Sequence, residues 1–153
     1  MLFRSISQIE SGRGATTALP LRPFRGDVPW PTSPGPILRR FGRQPSSRFG
    51  TAIARNGMEI EVSDGEPVRS VHEGTVAFAD EFSGYGNLVI VDHGNRAYSL
   101  YGYLDTVGAA KGQHVEAGTV VGTSGRNPSG NPALYFELRV DGSAVDPLQW
   151  LKK

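Results

Sequence analysis

The sequence predicts an all-β domain, an antiparallel β-sandwich or flattened barrel with a mostly irregular N-terminal arm. Three observations predict it. The 153 residues include 20 Gly and 11 Pro, well above the usual share, and both residues disfavour helix interiors. Six short stretches are apolar or alternating and are bounded by turn-forming residues, as strands require. No window of eleven or more residues carries a helical apolar stripe free of Gly and Pro.

Residues 1–26 are rich in Arg, Ser, Gly, Thr and Pro without a sustained period, which predicts a disordered arm or the remnant of a longer upstream region. Residues 27–50 hold five of the eleven prolines. Pro29 and Pro31 flank Trp30, so this segment reads as an extended lead-in pinned by one aromatic. The β core is expected over residues 51–151, within a domain spanning 27–153. Its strands are expected at Met58–Val62, Gly74–Ala79, Leu88–Asp92, Ala97–Leu104, Thr119–Gly122 and Leu134–Val140. Turns are expected at Ser63–Gly65, Ser83–Asn87, His93–Asn95, Ser124–Gly125 and Asp141–Gly142. Asp92–Asn95 reads as the tip of a hairpin. One motif recurs. Gly65-Glu66-Pro67-Val68 precedes Glu73-Gly74-Thr75-Val76, and Gly112-Gln113-His114-Val115 precedes Ala117-Gly118-Thr119-Val120. Two such units suit opposite corners of a sandwich.

Composition excludes several kinds of chemistry. There is no Cys, so disulfide scaffolds, zinc ribbons and thiol nucleophiles are ruled out. A net charge of +1 makes no electrostatic case for nucleic acid. His72, His93 and His114 lie 21 residues apart, each near a Gly, and read as surface or turn residues rather than convergent ligands. Glu59, Glu61 and Glu137 read as residues of solvated strand faces. No Gly-x-Ser-x-Gly elbow occurs. Tyr101 and Tyr103 are expected on one strand face, with Leu100 and Leu104 on the other. Tyr135, Glu137 and Arg139 are expected opposite a core face of Leu134, Phe136 and Leu138. Tyr and Arg are enriched in binding hot spots, which makes that tyrosine-bearing face a candidate groove or an ordinary amphipathic strand.

An ordered set of segments then resembles a known family. Gly57-Met58-Glu59-Ile60, Gly84-Tyr85-Gly86-Asn87, His93-Gly94, Tyr101-Gly102-Tyr103-Leu104, Gly112-Gln113-His114-Val115, Leu134-Tyr135-Phe136-Glu137 and Val145-Asp146-Pro147 are similar to the lysostaphin-type (LytM-like) zinc peptidase domain. That resemblance implies a β-sandwich built to cleave peptidoglycan cross-links. The departures fall on the family's metal positions. Its His-x-Gly-x-Asp frame is here Arg55-Asn56-Gly57-Met58-Glu59, its Tyr-x-His-Leu carries Tyr103, and its closing His-x-His is Ala133-Leu134-Tyr135. The implied degenerate metal positions are Arg55, Glu59, Tyr103, Ala133 and Tyr135, with no metal, no cofactor and no catalysis.

The EnvC-type murein hydrolase activators of that family share these losses. They are also similar in Pro29-Trp30-Pro31, Phe41-Gly42 and Val145–Leu151. Membership of that group implies a periplasmic domain acting in cell-wall splitting at division. Its emptied groove would bind an N-acetylmuramoyl-L-alanine amidase, with peptidoglycan as a second candidate partner. An upstream coiled coil would dock on a membrane complex in the full-length protein. The groove residues so implied are Arg55, Asn56, Glu59, Tyr85, Tyr101, Tyr103, Tyr135 and Arg139. A degenerate peptidoglycan-binding or scaffolding domain without activator role is the alternative. A biotinyl or lipoyl carrier lacks its hairpin lysine, since the only lysines are Lys111, Lys152 and Lys153.

Overall fold

The computed structural model describes residues 19–45 and 52–153, with side chains described outside 43–45 and 52–55. In chain order the strands are β1 Ile37–Arg39, β2 Gly42–Pro45, β3 Ala52–Arg55, β4 Met58–Glu61, β5 Pro67–Arg69, β6 Gly74–Phe82, β7 Gly86–Gly94, β8 Ala97–Val107, β9 His114–Val115, β10 Val120–Arg126, β11 Pro132–Val140 and β12 Ser143–Val145. No α-helix occurs among the described residues; there are two 3₁₀ turns, Arg22–Phe24 and Pro147–Gln149. Ten strands form one antiparallel sheet in the order β1-β4-β11-β10-β8-β7-β6-β9, with β5 on β10 and β12 on β11. β11 pairs with β4 along its first half and with β8 from Tyr135 to Val140, so the sheet curls around it. β2 and β3 form a separate pair. All six expected strands are present, most of them longer than the sequence suggests.

The expected hairpin is present, but its tip is shifted: β7 runs on to Gly94, and the turn is Asn95–Arg96 rather than Asp92–Asn95. Asn95 and Arg96 both have positive φ (51° and 63°), the two-residue turn whose twist matches antiparallel strands. The main core takes Leu134, Phe136 and Leu138 from β11 together with Met58, Ile60, Val76, Val89, Val91 and Val121. A smaller cluster of Ala77, Leu88, Ile90, Tyr98 and Leu100 lies on the opposite face of β7 and β8, because successive side chains alternate along a strand. Residues Leu88–Gly94 are buried without interruption, the mark of a strand covered on both faces.

The repeated motif is interlocked rather than split between corners. The short strand of the first unit, β5, pairs with the long strand of the second, β10. The short strand of the second, β9, pairs with the long strand of the first, β6. Ser70 and Thr119 are stitched by the Ser70 N–H donating to the Thr119 carbonyl at 2.8 Å. Ser124–Gly125 is a further correction. It lies inside β10, and a Cβ on Gly125 would sit 2.6 Å from the Tyr103 carbonyl oxygen, so the glycine serves close strand packing rather than a turn.

The N-terminal lead-in is also more integrated than expected. Residues 1–18 of the proposed arm lie outside the described residues, but Leu21 and Val28 are core residues. The Trp30 indole N–H donates to the Lys152 carbonyl at 2.9 Å, and β1 pairs with β4. Leu21, Val28, Trp30 and β1 are thus packed or hydrogen-bonded against the main sheet and its C-terminal end, whereas β2 pairs with β3 alone.

Two histidines expected at the surface are buried. His72 and His93 stack edge to face, with ring centroids 5.5 Å apart. The His93 ring nitrogens meet the Glu73 carbonyl and the Ser99 hydroxyl, each at 2.8 Å. A carbonyl only accepts, so Nδ1 carries the proton and Nε2 accepts from Ser99. The Ser99 proton is then committed, and the Tyr101 hydroxyl, 2.7 Å away, donates to Ser99 while accepting from the Val71 N–H at 2.9 Å. Burial, opposed by the Glu73 carbonyl and reinforced by His72, lowers the His93 pKa to about 4.

In the unfolded chain the same group takes its proton near pH 6.5. Between these values the unfolded state binds more protons, so stability falls as pH falls. Loss of about 3 kcal/mol from this group is expected between pH 6.5 and pH 4. Urea unfolding across that range, alongside an NMR titration of the imidazole, checks it. An imidazole titrating near 6.5 in the folded state would show the wiring to be wrong.

Candidate functional site

A single transverse row of cross-strand neighbours builds the site. Arg39 of β1 lies opposite Glu59 of β4. Glu59 lies opposite Tyr135 of β11, and Tyr135 lies opposite Gly102 of β8. Directly opposed residues share a face, so four strands present Arg, Glu, Tyr and Gly side by side. The glycines make room for the ring. A Cβ on Gly102 would sit 3.2 Å from the Tyr135 Cβ, and one on Gly57 would sit 2.7 Å from the Tyr135 ring and from the Phe136 carbonyl oxygen. Tyr135 is therefore flanked on both sides by positions where a larger residue forces a shift.

Tyr103 joins the row through an irregularity. The β7–β8 register slips between the pairs Asn87–Leu104 and Val89–Tyr101, and Tyr103 has φ +60°. A bulky residue in the left-handed region is strained, and such outliers concentrate at functional sites. The bulge re-aims the strand. Leu100 joins the small cluster and Leu104 the main core, while Tyr101 and Tyr103 separate. Tyr101 is fully buried in the core and does not line the groove, contrary to the sequence expectation of a shared face. The Tyr103 N–H donates to the Tyr85 carbonyl at 2.8 Å, which brings the Ser83–Asn87 turn over the row.

The resulting cavity, about 340 Å³, is lined by Arg39, Asn56, Gly57, Glu59, Gly84, Tyr85, Tyr103 and Tyr135. Tyr135 is its hub, with the Tyr85 and Tyr103 rings against it at centroid distances of 5.3 and 5.8 Å in edge-to-face geometry, the arrangement aromatic quadrupoles favour. Its hydroxyl donates to Glu137 Oε1 at 2.6 Å, and Arg139 Nη1 donates to Glu137 Oε2 at 2.7 Å. Glu137 is completely buried and Arg139 nearly so. Burial pushes the Glu137 carboxyl up, although hydrogen bonds from Tyr135 and Arg139 pull the other way. Burial and the Glu137 charge both hold the Tyr135 hydroxyl protonated.

Glu59 is buried as well. Asn127 Nδ2 donates to its Oε1 at 2.9 Å, and Arg39 Nε stands 3.4 Å from its Oε2. Asn127 is itself held in an Asx turn, its Oδ1 accepting from the Ser129 and Asn131 N–H groups at 3.0 Å.

Of the residues singled out from sequence, Asn56, Glu59, Tyr85, Tyr103 and Tyr135 come together. Arg139 stands behind the cavity, acting on Tyr135 through Glu137. Ala133 is buried beside the row, in register with Glu61. The Arg55 side chain lies outside the described residues. The reading of Glu59 and Glu137 as solvated is overturned by their burial. Sequence reasoning missed Arg39, Gly57 and Asn127. The Asn127-Pro128-Ser129-Gly130 run was a legible signal for an Asx turn; Arg39, in a three-residue strand, offered none. Among the described residues, one group of His and carboxylate side chains lies within reach of a common ion: Glu73, His114 and Glu116. It sits at the β6–β9 edge, away from the tyrosine row.

This antiparallel β domain, with a cleft across its curled sheet, resembles solved M23 peptidase domains in fold. The fold is similar to a zinc-containing peptidase from Vibrio cholerae (TM-score 0.73, 24% identity, covering 84% of this chain and 40% of that one). It is also similar to the catalytic domain of the prophage-encoded M23 protein EnpA from Enterococcus faecalis, in its A109H mutant (TM-score 0.67, 26% identity, 78% and 94% covered). The chain belongs to peptidase family M23, whose profile matches residues 54–147.

Its curated relatives include the murein hydrolase activator EnvC of Escherichia coli, 41% identical over 130 residues, covering 83% of this chain and 29% of EnvC. The murein hydrolase activator NlpD of the same organism is 32% identical over 136 residues, covering 88% of this chain and 33% of NlpD. The chain thus spans about a third of the length of these relatives.

Proposed function

We propose that this domain is a non-catalytic activator of a periplasmic N-acetylmuramoyl-L-alanine amidase in cell-wall splitting at division, and that it binds the amidase through the tyrosine-lined groove. The donor set of the groove carries this reading. A catalytic zinc needs three protein ligands and an open position. Among the described residues Glu59 is the one carboxylate lining the cavity, and both its oxygens are engaged by Asn127 and Arg39. A guanidinium beside that carboxylate occupies the electrostatic place a metal would take. The Tyr135 hydroxyl is protonated and already spends its proton on Glu137. Zinc does not fit these residues.

What the groove does offer is aromatic surface with polar edges, the composition of a binding hot spot. Half-buried tyrosines anchored from behind present rigid area at low entropic cost. Similarity to two named murein hydrolase activators supports the same reading.

The test is dye release from labelled peptidoglycan with the domain alone, a cognate amidase alone, and both together, with zinc content measured by mass spectrometry. The domain alone is expected to release no dye and to hold no stoichiometric zinc, while stimulating the amidase on the order of tenfold. Dye release by the domain itself would overturn the reading. Binding to purified sacculi without stimulation would favour a scaffolding role instead.

A further inference from the structure

A second, larger cavity of about 680 Å³ adjoins the tyrosine cavity. Gly84 and Tyr103 line both, so the strained Tyr103 stands in the wall common to the two. The larger part has a different chemistry. Its charged lining residues are Asp64, Glu81, Asp105 and Arg126, three acids against one base. The base is already committed, because Arg126 donates to Asp64 Oδ2 at 2.6 Å through Nη2 and to the Gly130 carbonyl at 2.9 Å through Nη1. Glu81 and Asp105 are exposed, and neither makes an ion pair among the described residues. Glu81 lies opposite Asn87 across β6 and β7. Asn87 Nδ2 donates to the Leu104 and Asp105 carbonyls at 3.0 and 3.3 Å, so Asn87 ties the two acid-bearing strands together across the cleft. The outcome is a pair of adjoining cavities, one lined by tyrosines and the other carrying an excess of acidic side chains.

We infer that the segment of the partner amidase which enters the tyrosine pocket continues past Tyr103 and places a lysine or arginine in the cleft between Glu81 and Asp105. This rests on the proposed activator function and names the chemistry of its partner. Charge complementarity across the two adjoining cavities supports this assignment. Two carboxylates with no ion pair among the described residues, in a concave site, favour a cationic side chain over a neutral one. The tyrosine end offers a cation no such unpaired acid, since Arg39 stands there beside Glu59. The order of partner side chains is therefore apolar or aromatic first, basic second, and the acidic end fixes the direction in which the segment lies. Open carboxylates are screened by salt, so this end contributes orientation and a salt-sensitive part of the affinity.

The experiment measures the Kd of the full chain for the purified cognate amidase at ~50 and ~300 mM NaCl, where the Debye length falls from about 14 to about 6 Å. Three variants are compared, each checked for folding by circular dichroism: Glu81→Lys/Asp105→Lys, Glu81→Gln/Asp105→Asn, and Tyr135→Ala. Charge reversal is expected to weaken binding on the order of tenfold or more at low salt, and neutralisation to flatten the salt dependence. If reversal leaves the Kd within about twofold while Tyr135→Ala weakens it, the inference fails and the activator reading stands. If neither variant weakens binding, both fail. If reversal spares the amidase but abolishes co-sedimentation with purified sacculi, the cleft serves peptidoglycan and the inference is overturned.

Discussion

Glu137→Ala is expected to destabilise the domain by about 3–5 kcal/mol, the largest effect of any single groove-side substitution, because it leaves a buried guanidinium without its carboxylate. Arg139 is nearly sequestered from water and donates to Glu137 at 2.7 Å; a contact to the Gly142 carbonyl at 3.5 Å is long and brings no opposite charge. Denaturant unfolding at pH 7 reads the loss directly. A buried ion pair is not by itself a net gain in stability, because desolvation offsets the mutual attraction. Burial holds the Glu137 carboxyl above its ordinary pKa even with Tyr135 and Arg139 bonded to it. A carboxyl whose folded pKa exceeds its unfolded value costs stability where it is ionised, and the cost is relieved as pH falls through the folded pKa.

Replacing both partners by apolar residues of similar volume, Glu137→Leu with Arg139→Met, is therefore expected to give a domain at least as stable as the parent. The same double variant should stimulate the amidase poorly, since Tyr135 loses the acceptor that fixes its hydroxyl. A double variant that is stable and fully stimulatory would show the network to be dispensable for positioning Tyr135.

The contrast between that network and the scaffold shows what a sequence makes legible. Alternation and turn chemistry are local signals, so the six principal strands and the existence of the β7–β8 hairpin could be read directly, though not the exact position of its turn. The resemblance to the zinc peptidase family located Glu59, Tyr103 and Tyr135, because it rests on ordered motifs along the chain. Features that depend on register were not legible. One bulge at Gly102–Tyr103 sends Tyr101 into the core and Tyr103 into the groove, reversing a face assignment made from perfect alternation. The exchange of β5 and β9 between the two repeated units requires pairing across some fifty residues, which no local pattern encodes. Arg39 reaches Glu59 only because a three-residue strand in a Pro-rich segment finds the edge of β4. Burial of His93, Glu59 and Glu137 was missed for a related reason. Polar residues on a strand look solvated until tertiary partners supply their hydrogen bonds.

Tyr135→Ala is expected to weaken amidase binding by about 30-fold or more, the roughly 2 kcal/mol that marks a hot spot, and to abolish stimulation. Three physical contributions disappear together. The ring is the common neighbour of Tyr85 and Tyr103, so its removal takes away the surface that orients both. Its truncation opens a void between Gly57 and Gly102, two positions without side chains to refill it. Its hydroxyl leaves Glu137 one donor short inside the fold.

Tyr135→Phe separates these effects. The ring contacts and the filled volume persist, and only the hydrogen bond to Glu137 is lost, so a weakening of about fivefold is expected, near 1 kcal/mol. Isothermal titration with the cognate amidase gives both numbers, and the unfolding midpoint of each variant shows whether the loss is of binding or of fold. The ranking carries the conclusion. If the phenylalanine variant is as impaired as the alanine variant, the groove recognises its partner through the hydroxyl. If both bind within twofold of the parent, the tyrosine row is not the docking surface, and the burial of Glu137 and Arg139 behind it serves the fold alone.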